Sequence, residues 1–446
     1  MTRSRALVFG ALVAFSVVAA GCLARTPYPT DATTTSERIN FATADQNAVP
    51  VVTFGPSPSC SGSSVNATLV SPITVGSNTE YQWSAALTGL TANTSYCYHL
   101  TQGSTDLQNG APGTFTTAVT PGATTPFSFA VIGDFGGGTP DETNVLSRVR
   151  ASNASFVVSV GDNAYPDGTQ SDYGDIGDGN VFNLDDWPLG GQTKSWFLAQ
   201  GNHGFDISQP YLQNFPETSA VTSSGGRMQQ DQYCCIPAMQ QTNTFASAWY
   251  AFNWGNARFY VLEVAWSDNY PAFEADFEGH WNGPVPGCAA CGAELQWLKS
   301  DLAAHASTPL KFAFFHYPLH SDGGDGSDTY LDGPNGLEGL LASNGVNIVF
   351  NGHTHDYERN TPQIAGTSMV SYIDGTGGAD FISKVQGCSS FDAYAIGASG
   401  TSCNAPAPSS DSQVYGFLLV SVNGNTVTVT PTNENGGTFD VQTYHF

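Results

Sequence analysis

Residues 346–359 read VNIVFNGHTHDYER, an apolar run followed at once by His353 and His355. The apolar run predicts a short buried strand that stops where the polar residues begin. Because alternate residues of an extended chain point to the same side, both imidazoles are expected to face one side there, with Thr354 facing the other. This spacing predicts that the two histidines act together.

Four further apolar runs end in polar clusters of the same kind. They end at Asp134 in FAVIGD, Asp162 in VVSVGD, Asn202 and His203 in WFLAQGNH, and His316 in FAFFH. In α/β sheets, ligands bind beyond the carboxyl ends of the strands, so these side chains are expected to converge. Five such clusters of Asp, Asn and His are hard to explain as core polar groups, and they predict an active site.

The fold class follows from the alternation of strands and helical segments. Helical spacing occurs in DETNVLSRVRAS (141–152), AELQWLKSDLAAHA (293–306) and GLEGLLAS (336–343), between apolar runs that predict buried strands. This alternation predicts an α/β fold for residues 127–446. Short alternating runs separated by turn residues over 46–119 predict a small antiparallel β-sandwich, and TPGATTP (120–126) predicts a linker.

The N-terminus has the features of an export signal. Residues 1–22 begin with Arg3 and Arg5, continue through an apolar stretch and end at Cys22 in AAGC, which is similar to a bacterial lipobox. We therefore expect a secreted protein or a cell-envelope lipoprotein, with a lipid on Cys22 as its only membrane attachment. The polar stretch 23–45 is expected to be a flexible tether.

Cysteine usage agrees with export. Apart from Cys22, eight cysteines remain, an even number that suits disulfides. We expect the pairs Cys60–Cys97 and Cys388–Cys403, since each pair falls within one segment. The others, Cys234, Cys235, Cys288 and Cys291, form no second CxxC pair for a zinc site, so disulfides are favoured there as well.

Charge excludes one class of partner. The net charge is −25 at pH 7, and nucleic-acid binding needs a basic face, so nucleic acid is not expected as a partner. The acidic loop at 171–187 lacks the alternating aspartates of a calcium loop and is expected to be solvated.

Several catalytic arrangements are absent from the sequence. No G-x-S-x-G element supplies a serine nucleophile, and no HExxH zinc helix occurs. His316 and His320 are four residues apart, but Pro318 between them disfavours a helix. Two metal ions that share a carboxylate fit the Asp, Asn, His and Tyr residues that remain.

The motif blocks resemble the purple acid phosphatases of the metallophosphoesterase superfamily. In order they are DFG (134–136), GDNAY (161–165), GNH (201–203), His316 and GHTHDYER (352–359), followed by SYIDGTGGA (371–379). LTGLTANTSYCYHL (87–100) is similar to a fibronectin type III strand, as in plant-type members. The resemblance implies an αββα metallophosphoesterase β-sandwich flanked by helices, preceded by a fibronectin III-like domain.

Gly136 and Tyr165 distinguish the subfamily. Most metallophosphoesterases have histidine where Gly136 stands, and the resemblance implies that Tyr165 supplies the missing ligand as a phenolate, a strong donor to Fe(III). The resemblance implies one set of ligands for Fe(III), one for a divalent Zn, Fe or Mn ion, and a bridging residue. These are Asp134, Tyr165 and His355 for iron, Asn202, His316 and His353 for the divalent ion, and Asp162 as the bridge. Three negative ligand charges against five metal charges leave a positive site for phosphate.

The implied reaction is attack of a metal-bound hydroxide on a phosphate monoester, with an acidic pH optimum. By motif position, His203 protonates the leaving oxygen, and His320 is a second candidate for contact with phosphate or leaving group. Gly204 stands where the family has an acid, which weakens the support for His203. Arg359 is expected to anchor its loop through an ion pair.

Two other functions remain open. The same site would serve a phosphodiesterase or a nucleotide-sugar pyrophosphatase, a difference that depends on loops 166–198 and 206–245. An inactive surface binding or adhesion protein is disfavoured because the ligand set is complete. A homodimer is compatible with the sequence.

Overall fold

The computed structural model describes residues 23–75, 78–166, 191–199, 201–203, 227–228, 245–246, 249–264, 293–324 and 331–446. The N-terminal part contains strands alone within these ranges. They are β1 (Leu23–Thr30), β2 (Ser36–Thr43), β3 (Pro50–Pro56), β4 (Ser63–Asn66), β5 (Thr68–Val75), β6 (Asn78–Thr88), β7 (Ser95–Gln102), β8 (Thr105–Asp106) and β9 (Gly113–Thr116). Two sheets, β1-β2-β6-β5 and β4-β3-β7 with β8 and β9 beside β7, enclose an apolar core. This is the predicted β-sandwich.

The prediction of a flexible tether over 23–45 is wrong. These residues form β1 and β2, an antiparallel pair in which Tyr28 lies opposite Asn40. Arg25 of β1 forms an ion pair with Glu80 of β6 at 3.2 Å, and both side chains are buried. The sequence of this segment predicts flexibility because it is polar. Its polar residues are nevertheless paired, with partners elsewhere in the chain that the segment's own sequence does not reveal.

The remainder of the chain contains sixteen strands and three α-helices within the described ranges. In chain order they are β10 (Phe127–Ile132), α1 (Pro140–Ala151), β11 (Phe156–Ser159), β12 (Ser195–Leu198), β13 (Arg227–Met228), β14 (Phe245–Ala246), β15 (Tyr250–Trp254), β16 (Ala257–Val261), α2 (Ala293–Ala304), β17 (Leu310–Phe314), α3 (Leu337–Ser343), β18 (Ile348–Asn351), β19 (Tyr357–Asn360), β20 (Val370–Asp374), β21 (Asp392–Ile396), β22 (Ser402–Cys403), β23 (Gly416–Asn423), β24 (Thr426–Asn433) and β25 (Gln442–His445). All three predicted helices are confirmed.

Helix α1 begins where the sequence provides a capping pattern. The Thr139 side chain accepts a hydrogen bond from the backbone N–H of Glu142 at 3.0 Å, and Glu142 accepts one from the N–H of Gly138 at 2.7 Å. Pro140 occupies the first turn, where its missing N–H costs nothing. These reciprocal bonds satisfy N–H groups at the helix start and fix the chain direction just after the first polar cluster.

Two sheets pack face to face in this part of the chain. One contains β25-β24-β23-β10-β11-β12, and the other is ordered β15-β16-β17-β18-β20-β19-β21-β22. Phe129 of β10 contacts Phe312 and Phe314 of β17, with ring centroids 5.6 and 6.1 Å apart, so the main core lies between the sheets. Helix α1 packs on the first sheet, whereas α2 and α3 pack on the second. The expected αββα fold is confirmed.

The N-terminal sandwich continues the first of these sheets. Strand β1 pairs in parallel with β12, with Thr30 opposite Trp196. The Ser195 hydroxyl donates to Glu37 at 2.9 Å, and the Tyr98 hydroxyl donates to the Gln192 carbonyl at 3.2 Å. The sandwich therefore covers the sheet edge that β12 would otherwise expose.

Both preferred disulfides, Cys60–Cys97 and Cys388–Cys403, are present. The other five cysteines, the proposed signal at 1–22 and the acidic loop at 171–187 lie outside the described residues. Within the described ranges, no helix combines the length and apolar character needed to cross a membrane.

Candidate metal centre

The ends of strands from both sheets meet at one place. Asp134 follows β10, Asp162 and Tyr165 follow β11, and Asn202 follows β12, all from the first sheet. His316 follows β17, and His353 and His355 follow β18, in the second sheet. The structure thus brings together all seven side chains that the sequence analysis selected as ligands, and the site lies where two sheets end rather than at the edge of one.

The first group of donors consists of Asp162, His316 and His353, whose ligand atoms lie within 4.8 Å of one another. His316 Nε2 lies 3.1 Å from Asp162 Oδ1. The Asn202 amide oxygen completes this group, at 2.8 Å from His316 Nε2 and 3.2 Å from His353 Nδ1. Two imidazole nitrogens, a carboxylate and an amide oxygen suit a divalent transition-metal ion.

The second group consists of Asp134, Asp162 and His355, again within 4.8 Å of one another. The Tyr165 hydroxyl lies 3.1 Å from Asp162 Oδ2, 3.4 Å from Asp134 Oδ1 and 3.0 Å from His355 Nε2. Asp162 belongs to both groups, since one of its oxygens faces His316 and the other faces Tyr165. The arrangement fits two ions with one shared carboxylate.

Backbone carbonyl groups orient two of the histidines. His316 Nδ1 lies 2.9 Å from the Val160 carbonyl oxygen, and His355 Nδ1 lies 3.2 Å from that of Phe381. A proton on each Nδ1 leaves Nε2 to act as the ligand, and each Nε2 does face the carboxylates. Sequence reasoning missed these carbonyls because a main-chain acceptor has no residue signature.

The prediction of an extended backbone through His353 and His355 is wrong. Strand β18 ends at Asn351, and His353 has a φ of 73°, so the chain bends there. Its backbone N–H donates to both carboxylate oxygens of Asp134 at 3.0 Å. A side chain at Gly352 would collide with the same carboxylate, which explains glycine there. Asp134 and Asp162 also have positive φ, at 56° and 49°, a strain typical of functional sites.

Burial and neighbouring charges both shift the pKa values of side chains in this site. Burial lowers the pKa of His316, but the Asp162 and Asp134 carboxylates and the Val160 carbonyl together outweigh burial and raise that pKa to about 9. Burial raises the pKa of Tyr165 well above its ordinary value, and Asp162 and Asp134 raise it further. The carboxylates therefore keep protons on nearby groups when no cation is present. Metal ions would replace those protons, as expected for a metal site.

His203 borders the cluster. Its backbone N–H donates to Asp162 Oδ1 at 2.8 Å, and its ring packs against that of Tyr165 with centroids 4.7 Å apart. Its Nδ1 contacts the carbonyl oxygen of Pro166. A main-chain carbonyl is thus a partner of the His203 ring, in a sequence that has glycine rather than an acid at position 204.

The other two predicted residues have partners elsewhere. His320 Nε2 lies 3.0 Å from Glu338 of α3, and its ring packs on Phe391 with centroids 5.2 Å apart. These contacts link it to α3 rather than to the seven clustered side chains. Arg359 forms two hydrogen bonds of 2.7 and 2.8 Å with the Asp440 carboxylate, so the expected anchoring ion pair is confirmed.

Comparison with known proteins defines the family. Residues 127–357, more than half of the chain, match the family model described as calcineurin-like phosphoesterase, so the chain belongs to that family. Residues 26–117 match the model described as the purple acid phosphatase N-terminal domain. The N-terminal match therefore confirms the predicted resemblance to purple acid phosphatases.

Individual relatives agree with this assignment. Purple acid phosphatases 22 and 18 of Arabidopsis thaliana are 24% and 23% identical to the chain over 72% of its length. The match spans 63% of each relative, less than two thirds of its length. The solved structure of purple acid phosphatase PPD1 from yellow lupin seeds is similar in fold, with a TM-score of 0.63 and 17% identity over 94% of this chain and 74% of the lupin chain. A structure of PhoD aligns with a TM-score of 0.52 and 14% identity, over 94% of this chain and 89% of that one.

Proposed function

We propose that this protein is an exported acid phosphatase that hydrolyses phosphate monoesters at a dinuclear metal centre. The observation that carries the proposal is that Asp162 belongs to both donor groups, as a bridging ligand must. Membership of the phosphoesterase family supports it. Two disulfides and the signal-like residues 1–22 support export, whereas a lipid on Cys22 and a homodimer remain predictions.

The proposed ligands follow the two donor groups. Asp134, Tyr165 and His355 would hold trivalent iron, Asn202, His316 and His353 would hold a divalent zinc, iron or manganese ion, and Asp162 would bridge them. A phenol favours the trivalent position because its deprotonated oxygen is a hard anionic donor. When bound, the ions lower the pKa of water and neutralise charge on the phosphate.

His203 is proposed to protonate the leaving oxygen. Its backbone bond to Asp162 and its packing on Tyr165 hold the imidazole beside the shared ligand. A proton on Nδ1, donated to the Pro166 carbonyl, makes Nε2 the nitrogen that exchanges a proton with the leaving group. The same contact would hold the ring in one orientation although position 204 is glycine and offers no acidic side chain.

A comparison of p-nitrophenyl phosphate with bis(p-nitrophenyl) phosphate tests the substrate class. With three ligand charges against five metal charges, the site favours a monoester dianion over a diester monoanion. We expect kcat/KM for the monoester to be higher by on the order of tenfold or more. An equal or higher value for the diester would favour the phosphodiesterase alternative.

Substitution of His203 by glutamine tests the proton donor. We expect kcat for an alkyl phosphate such as glycerol 2-phosphate to fall by about a hundredfold, because general acid catalysis typically contributes this much. p-Nitrophenyl phosphate should lose far less, since p-nitrophenolate departs without a proton. His305→Gln is the matched control, because His305 lies beyond α2 and contacts Asp301. An equal loss with both esters would contradict the assignment.

A further inference from the structure

An exposed aromatic side chain lies beside the metal centre. The side chain of Phe381 is 58% exposed. The other large exposed hydrophobic side chains among the described residues are aliphatic: Val49, Leu69, Val70 and Val441. Phe381 follows the glycine-rich segment after β20. An exposed phenyl ring offers an apolar face on which an aromatic group can stack.

The backbone around Phe381 is held by the candidate ligands themselves. The Phe381 carbonyl oxygen lies 3.2 Å from His355 Nδ1, and the Ser383 N–H donates to the His355 carbonyl at 2.7 Å. Two residues before Phe381, the Ala379 N–H donates to the Asp134 carbonyl at 2.9 Å. The backbone of this segment is therefore fixed to two ligand-bearing loops, so the Phe381 side chain starts from a fixed position beside them.

The ring itself packs on a candidate ligand. The Phe381 and His355 ring centroids are 4.6 Å apart with the planes inclined at 41°. His355 meets Tyr165 at 3.0 Å, and Tyr165 packs against His203. His203, the proposed proton donor, therefore packs on Tyr165, and the exposed Phe381 ring packs on His355, which Tyr165 contacts.

We propose that Phe381 forms an apolar wall that receives the leaving group and gives the site a preference for aromatic phosphate monoesters. The inference rests on the proposed function, because it assigns the substrate class of that site. An aryl leaving group stacks on the exposed ring and removes it from water, whereas a small alkyl group covers little of it. The ring contacts the substrate but takes no part in proton transfer.

Kinetics of Phe381 variants test the proposal. For Phe381→Ala, we expect KM for 1-naphthyl phosphate to rise about tenfold while KM for ethyl phosphate changes by less than about twofold. Phe381→Trp should retain the aryl preference, and Phe381→Leu should fall between the two. Val49→Ala removes a comparably exposed apolar side chain in the N-terminal sandwich and should change neither value.

Binding without turnover separates this inference from the proposed function. The wild-type protein loaded with metal should bind phenylphosphonate more tightly than methylphosphonate by calorimetry, and Phe381→Ala should abolish the difference. Preferential binding of phenylphosphonate with no hydrolysis of any ester would contradict the proposed function but not the role of Phe381. Hydrolysis with equal affinity for the two phosphonates, or equal KM changes for both esters, would overturn the role of Phe381. If Phe381→Ala fails to fold, Phe381→Leu gives the same comparison with apolar bulk retained.

Discussion

Asp162→Ala is expected to reduce kcat/KM for p-nitrophenyl phosphate by a thousandfold or more and to leave fewer than two metal ions per chain. Loss of an outer-shell partner already costs about 10- to 100-fold, and Asp162 contributes an oxygen to both donor groups. Its carboxylate also accepts the backbone hydrogen bond of His203, so the proposed proton donor would lose its position as well. Activity assays with metal analysis of the purified variant measure both effects.

The control for this prediction is Asp141→Asn. Asp141 lies in the first turn of α1, where its charge interacts with the helix terminus, so neither activity nor metal content should change strongly. Asp162→Asn keeps the shape of the side chain and removes its charge, and we expect it to resemble Asp162→Ala. Unchanged turnover in Asp162→Ala would refute the dinuclear phosphatase proposal.

Tyr165→Phe is expected to abolish the visible tyrosinate-to-iron absorption band of the metal-loaded protein. The half-buried Tyr165 places its hydroxyl against Asp134 and Asp162, and desolvation and these carboxylates hold the pKa of the phenol well above the ordinary value. Only a strongly acidic cation in direct contact would ionise it, so the band reports a trivalent ion at this residue. The substitution removes one oxygen atom, and we also expect iron content to fall.

A buried tyrosine of β20 provides the control for this spectrum. The Tyr372 hydroxyl lies 2.7 Å from that of Tyr444, so Tyr372→Phe removes a partly buried hydrogen bond without touching the donor groups. We expect it to lower stability by about 1 kcal/mol and to leave the band unchanged. A band that persists in Tyr165→Phe would exclude Tyr165 as the ligand. Zinc at both positions of the wild-type protein, with no band, would remove iron but leave phosphoesterase chemistry intact.

The candidate donors could be found from the sequence because their signal is local. Apolar runs predict buried strands, and Asp134, Asp162 and His316 each follow such a run directly. Their convergence was expected from the rule for a single α/β sheet. In the structure the residues come from two facing sheets, an arrangement that depends on how the strands associate.

The errors share one cause. The polar segment 23–45 was expected to be flexible, yet Arg25 is neutralised by Glu80, and β1 pairs with β12 more than a hundred residues later. The backbone at His353 was expected to be extended, yet it turns so that its N–H meets Asp134. In each case the deciding partner is distant in sequence.

The sequence by itself determined the three helices, the strands that lead into the candidate ligands and the types of donor atom, because hydrophobic periodicity and side-chain chemistry are properties of neighbouring residues. Tertiary structure alone decided that Asp162 is shared between two donor groups, that the Pro166 carbonyl contacts His203 and that Phe381 stands exposed beside His355. Main-chain acceptors and solvent exposure carry no residue signature. They arise only when two sheets pack together and fix the loops at their ends.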